Sequence, residues 1–82
     1  MLTAIPLALD LIRVPVKRKK TLEADKVLSL AEDILENGQQ VPIRVREAKV
    51  GYVLIEGYHR LEAMRALGEE KITCFIVQAR IH

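Results

Sequence analysis

Residues 52–68 change character twice, each time at or near a glycine. Tyr52, Val53, Leu54 and Ile55 are aromatic or aliphatic, most of them β-branched or aromatic, and suit a pleated strand with at least one buried face. Gly57 interrupts that pattern. From His59 strong helix formers take over, with Leu61, Ala63, Met64 and Leu67 on one apolar stripe and Arg60, Glu62 and Arg65 directed elsewhere. Gly68 suits the left-handed residue that closes a helix. The stretch reads as strand, one-glycine turn and helix. A helix opening straight after such a turn presents unpaired N–H groups and the positive end of its dipole, here with His59 and Arg60 in the first turn. Gly57, Tyr58, His59 and Arg60 are therefore candidate phosphate-binding residues. The competing reading is an ordinary strand-to-helix connection with a solvated His and Arg.

Eighty-two residues make one domain, 1–82, and a chain of this length buries only ~60 to 65% of its unfolded surface. Half the residues are hydrophobic and 29% charged, with no low-complexity tract, which indicates a compact soluble fold. No apolar run is long enough to span a bilayer, so no membrane partner is expected. The apolar start, residues 1–12, lacks a basic leader and contains Pro6 and Asp10, which argues against a signal peptide and for the cytoplasm. The single cysteine, Cys74, excludes an internal disulfide and a cysteine-based zinc cluster, and within the apolar run 72–77 it reads as a core residue, with a reactive thiol as the alternative. His59 and His82 are the only histidines, and no metal site is expected from them. A net charge of +2 does not by itself announce a nucleic-acid binder.

In chain order, Pro6 and Pro15 confine any N-terminal strand to a sheet edge or a strand end. Four consecutive cations follow at 17–20, either a solvated loop or an electrostatic lip that draws anions in. Thr21 is placed to cap a helix running to about Asn37, with Glu23 and Asp25 in its first turn and Val27, Leu30, Ala31 and Ile34 on its buried stripe. Ile43 and Val45 alternate with Arg44 and Arg46 in a second strand with one wet face, which forms a hairpin with the strand at 52. Residues 71–79, apolar from Ile72 to Val77, give a last strand that is central or covered on both faces. The order of elements predicts an α+β fold, a small mixed sheet of about four strands covered by two helices.

At this level of detail the chain resembles the superfamily of partition-protein (ParB) N-terminal domains and sulfiredoxins. Four segments carry the resemblance: Ile12-Arg13 with a proline two residues on, Lys26-Val-Leu-Ser29-Leu30 on the first helix, Val41-Pro-Ile43 entering a strand, and Gly57-Tyr-His-Arg60 opening the second helix. Sulfiredoxins have Gly-Cys-His-Arg at this turn, where the cysteine acts on an oxidised peroxiredoxin and the His, Arg and helix N-terminus hold the phosphates of ATP. The resemblance implies that Gly57, His59 and Arg60 form a phosphate turn, that Lys26 and Ser29 are nucleotide contacts, and that Arg13 is a basic residue beside the site. Tyr58 stands in the place of the cysteine and cannot form sulfur–sulfur intermediates, so repair of sulfinic acids is not expected; Asp33 replaces a hydroxyl residue. Partition proteins have a Gly-Glu-Arg-Arg box that holds CTP and continue into a DNA-reading domain, which the chain, ending at His82, is not expected to contain. Free-serine kinases of this fold have an acidic residue before Gly-His-His-Arg, nearer to Glu56-Gly57-Tyr58-His59-Arg60.

Two functions follow as expectations. One is binding of ATP, ADP or CTP, with or without Mg2+, and with phosphoryl transfer or hydrolysis for which Glu56 is the available base or magnesium ligand; an ion pair to a neighbouring cation is the other reading of Glu56. The second is a non-catalytic ParB-like DNA-binding or protein-interaction module, in which the cations at 17–20 with Arg44, Arg46 and Arg60 bind nucleic acid weakly and without sequence preference. Tyr58 is expected to face the ligand, the alternative being a ring folded back onto the sheet.

Overall fold

The computed structural model describes residues 3–39 and 41–78. Its strands are β1 (Ala4–Ala8), β2 (Ile12–Arg13), β3 (Ile43–Glu47), β4 (Tyr52–Glu56) and β5 (Lys71–Ile76), and its helices α1 (Val16–Lys19), α2 (Ala24–Asn37) and α3 (Tyr58–Ala66). They form one mixed sheet in the order β1-β5-β3-β4-β2, with β1/β5 and β3/β4 antiparallel and β3/β5 and β2/β4 parallel. The α+β plan expected from the sequence is the one observed, with a fifth strand. What reads as one N-terminal strand is two, at opposite edges, joined by the single 3-10 turn Leu9–Leu11. Four spacings of a flat sheet would separate those edges by about 19 Å, whereas the four Cα steps from Ala8 to Ile12 reach at most about 15 Å. The sheet therefore curls, and Leu9, 4% exposed, fills its interior at that end.

Alternation decides which side chains meet. Ile43 and Val45, Leu54, and Ile72 and Cys74 point to one face, where Ala31 and Ile34 of α2 and Leu61, Ala63 and Met64 of α3 complete a continuous core. β5 is interior, between β1 and β3, as its apolar run predicts, but the core helices cover only one face. Thr73 and Phe75 alternate with the buried pair and are half-exposed, so of the two readings of this strand the central one is the one observed. The expected strand end, Ala79, lies outside the described residues, as does His82. The β3–β4 turn closes through Gly51 at φ +70°, where a Cβ would lie 2.5 Å from the Leu11 carbonyl oxygen, so glycine is needed for both conformation and space.

The start of the first long helix also differs from expectation. Residues 16–19 form the short helix α1 behind Pro15, and the Thr21 hydroxyl donates to the Arg18 carbonyl at 2.7 Å, finishing α1 instead of capping α2. Glu23 is the N-cap of α2. The Arg18 guanidinium donates to the Ile55 carbonyl, satisfying a β4 group beyond the reach of two-residue β2. Among the described residues no helix is long and apolar enough to cross a membrane.

Candidate functional site

Gly57 joins β4 to α3 in the left-handed region, at φ +105°. A Cβ there would stand 2.5 Å from Cγ2 of Ile43, so the turn passes hard against the core and admits only glycine. The first intrahelical bond runs from the Leu61 N–H to the Gly57 carbonyl at 2.9 Å, and no side chain caps the helix. The N–H groups of residues 58–60 thus point out of the helix start with no intrahelical acceptor.

His59 sits beside the start of α2, its Nε2 accepting the Glu23 N–H at 3.0 Å. It joins the beginnings of two helices at Glu23, the residue that Lys26 of α2 also contacts. Lys26 Nζ lies 2.7 Å from Glu23 Oε2 on open surface. The hydrogen bond and charge of Lys26 hold the Glu23 carboxyl below its ordinary range, His59 adding a little and desolvation opposing. Ser29, one turn further along α2, is exposed. Arg60 is half-buried and lines a pocket of about 330 Å3 with Pro42, Arg44, Glu56, Gly57 and Phe75. In that pocket Arg44 lies 5.7 Å from the Phe75 ring centroid and its Nε 3.4 Å from Glu56 Oε2. The ion-pair reading of Glu56 is thus the one the geometry displays. Among the described residues no group of three or more His, Cys, Asp or Glu side chains is disposed to hold a metal.

One expected site residue is placed differently. The Tyr58 ring is only 9% exposed and belongs to the core, which corrects the expectation of a ligand-facing aromatic. Tyr58 and Leu61 are three residues apart on α3 and share the face it turns to the sheet, so the ring follows Leu61 inward while the main chain stays at the turn. Arg13 lines a second pocket, of about 390 Å3, with Tyr58, the residue directly after Gly57, and with Lys19 and Arg65. The structure therefore brings Gly57, Arg60 and Glu56 together in one pocket and Arg13 and Tyr58 in another, with His59 and Lys26 meeting at Glu23. Arg44 at the Arg60 pocket and Lys19 at the Arg13 pocket were not singled out there by sequence reasoning; Arg44 had a signal in its outward alternation with Ile43, Lys19 none beyond its charge.

A five-stranded mixed sheet with this glycine-opened helix defines a class of small α+β domains. The chain belongs to the ParB N-terminal domain family, whose sequence profile matches residues 2–81. It is 39% identical over 72 residues to the chloroplastic/mitochondrial sulfiredoxin of Arabidopsis thaliana, a match covering 88% of this chain and 58% of that protein. The crystal structure of Arabidopsis thaliana sulfiredoxin superposes with a TM-score of 0.84 at 36% identity, covering 94% of this chain and 86% of that one. The truncated chromosome-partitioning protein ParB of Caulobacter crescentus, complexed with CTP-gamma-S, gives 0.83 at 17% identity over 95% of this chain and 46% of that one. A free serine kinase in complex with ADP gives 0.78 at 17% identity, covering 90% and 30%.

Proposed function

We propose that this domain binds the phosphates of a nucleotide, ATP, ADP or CTP, at the turn before α3. The observation that carries the reading is the uncapped start of α3 behind Gly57, where the N–H groups of 58–60 have no intrahelical acceptor and Arg60 lines a pocket with Gly57. His59 and Lys26 meet at Glu23 beside it, where a phosphate would compete with Glu23 for Lys26, and Ser29 of α2 is proposed as a further nucleotide contact. The partition protein and the serine kinase, solved with CTP-gamma-S and ADP, support this reading at the level of fold. Magnesium enters with the nucleotide, and Glu56 is the residue proposed as its ligand or as the base in transfer or hydrolysis, once released from Arg44. Sulfinic-acid repair is not proposed, because a phenol stands where that chemistry needs a thiolate. The site is proposed for a cytoplasmic protein.

The test is an NMR titration with ATP, ADP and CTP, each with magnesium. Amide shifts at residues 57–61 are expected with at least one; their absence with all three ends the proposal. A second reading, backbone binding of nucleic acid, rests on Lys17, Lys19 and Lys20, which are exposed without ion-pair partners among the described residues. It requires equal affinity for unrelated duplexes and a steep fall with salt that neutralising these lysines flattens. Salt-resistant binding to one sequence would contradict it.

A further inference from the structure

The flank of α2 turned away from Lys26 has no part in the nucleotide reading. Leu28 and Leu35, two helical turns apart, share that flank and are 62% and 77% exposed. Leu28 leads into a groove of about 440 Å3 between α2 and α3, lined also by Leu22, Val27 and Ala66, with Glu62 and Arg65 on its α3 side. Those last two, 3.3 Å apart, neutralise each other. The α2 rim is different. Asp25, Glu32 and Glu36 fall at helical spacings that make one stripe beside the leucines, and all three are exposed with no ion-pair partner among the described residues. The one cation on α2, Lys26, is on the far side and paired with Glu23. The apolar groove therefore has one neutral rim and one uncompensated acidic rim.

We propose that this groove docks a basic amphipathic helix of a protein partner. A groove between two helices takes the apolar stripe of a third, whose anchors recur at helical spacing. From Ala24 to Leu35 the α2 side runs about 17 Å, three turns, which sets the length of the partner helix. Lysines or arginines two turns apart on that helix would face Asp25 and Glu32, which are separated by about 10 Å along α2. A second copy of this chain does not offer such a helix. Two α2 helices laid together would set acidic stripes against each other, and α1, which carries the cations, is a single turn of four residues, too short for a three-turn groove.

The experiment is an NMR titration of the intact chain with three synthetic peptides of about fifteen residues, the length at which a helix is marginal alone and forms on docking. One has leucines at helical spacing and lysines along one flank, the second has glutamates in place of the lysines, and the third is a scrambled form of the first. The lysine peptide is expected to shift the methyl groups of Leu22, Leu28 and Leu35, to bind at least about tenfold more tightly than either control, and to weaken as salt rises. Leu28→Lys, at an exposed position, should weaken its binding about tenfold or more with the melting temperature unchanged. Glu32→Lys should weaken the lysine peptide and strengthen the glutamate one, a reversal that plain apolar adhesion does not produce. Glutamate or scrambled peptide binding as tightly as the lysine peptide, or shifts that leave the groove unmoved, would overturn the proposal. So would a concentration-dependent dimer in sedimentation that Leu28→Lys abolishes, since a second copy would then be the occupant.

Discussion

Tyr58 places its backbone at the glycine turn before α3 and its ring in the core, and the two can be separated by substitution. Tyr58→Ala removes a buried aromatic and should cost about 3 to 5 kcal/mol in urea unfolding. Tyr58→Phe keeps the packed ring and should change stability by less than about 1 kcal/mol, because the hydroxyl has no hydrogen-bond partner among the described residues to lose. Equal losses from both variants would mean that the hydroxyl holds a structural bond. Arg60 presents the opposite case. It is half-buried in an open pocket with no ion pair among the described residues, so Arg60→Ala should leave the fold intact while weakening nucleotide binding by about 1.5 to 3 kcal/mol, the scale of hydrogen bonds to charged groups. An unfolded Arg60→Ala protein would make Arg60 a structural residue and remove it from the site. Glu23 gives an acid-side signature: its carboxyl is lowered by Lys26, so its contribution is present above its ordinary value of 4.5 and lost as pH falls through the lower folded one.

Among the elements, the β4–α3 junction depends on one glycine and the start of β3 on one glutamine. Gly57→Ala combines a left-handed backbone with overlap at Ile43, so it should lose more than about 1 kcal/mol and also move the amides of 58–60 that define the anion site. The Gln39 amide bonds both main-chain groups of Thr73, Nε2 donating to the carbonyl at 2.9 Å and Oε1 accepting the N–H at 2.8 Å. It serves β5 where β3, which starts at Ile43, has not yet begun. Gln39→Ala should cost about 1 to 3 kcal/mol by leaving part-buried backbone groups unpaired, measured by unfolding and by faster exchange of the Thr73 amide; an unchanged exchange rate would show that the clamp is not needed. These two residues also mark where the sequence is legible. β3, β4 and α3 declare themselves through the alternation of Ile43 to Arg46 and the switch of pattern at Gly57. α1 does not, because Val16 and three cations have no hydrophobic period and the helix depends on Pro15 and the Thr21 hydroxyl. The division of the N-terminal strand between two sheet edges is a property of sheet order, which local pattern does not encode. The proposed phosphate turn is legible because a glycine, a histidine and an arginine lie close together in the chain. The meeting of Arg13 with Lys19, Tyr58 and Arg65 is not, because it needs the face that α3 turns to the sheet.

On the scale of the whole molecule, Cys74 reports when the core opens. It lies on β5 between β1 and β3, is fully buried, and its Sγ is 3.2 Å from the Ile72 carbonyl oxygen. Burial pushes its thiol from an ordinary 9.0 up to about 11, so the folded state holds no reactive thiolate at neutral pH. Modification by a thiol-specific reagent therefore requires loss of β1 or opening of the sheet. β1 is an edge strand carrying Pro6, which gives no N–H to the ladder, so two mechanisms make different predictions. If β1 frays alone, the rate of Cys74 modification is nearly independent of urea at low concentration. If the domain opens only as a unit, the rate rises with urea with the slope of global unfolding, and that slope is the expected result, because Leu9, directly after β1, is part of the core. The pH dependence has a definite sign. Between about pH 9 and 11 the unfolded chain has lost the thiol proton while the folded one retains it, so stability falls as pH rises through that window and levels off above it. Cys74→Ala should flatten this alkaline loss relative to the parent, whatever its own effect on stability; equal slopes in the two proteins would show that other groups govern the alkaline limb.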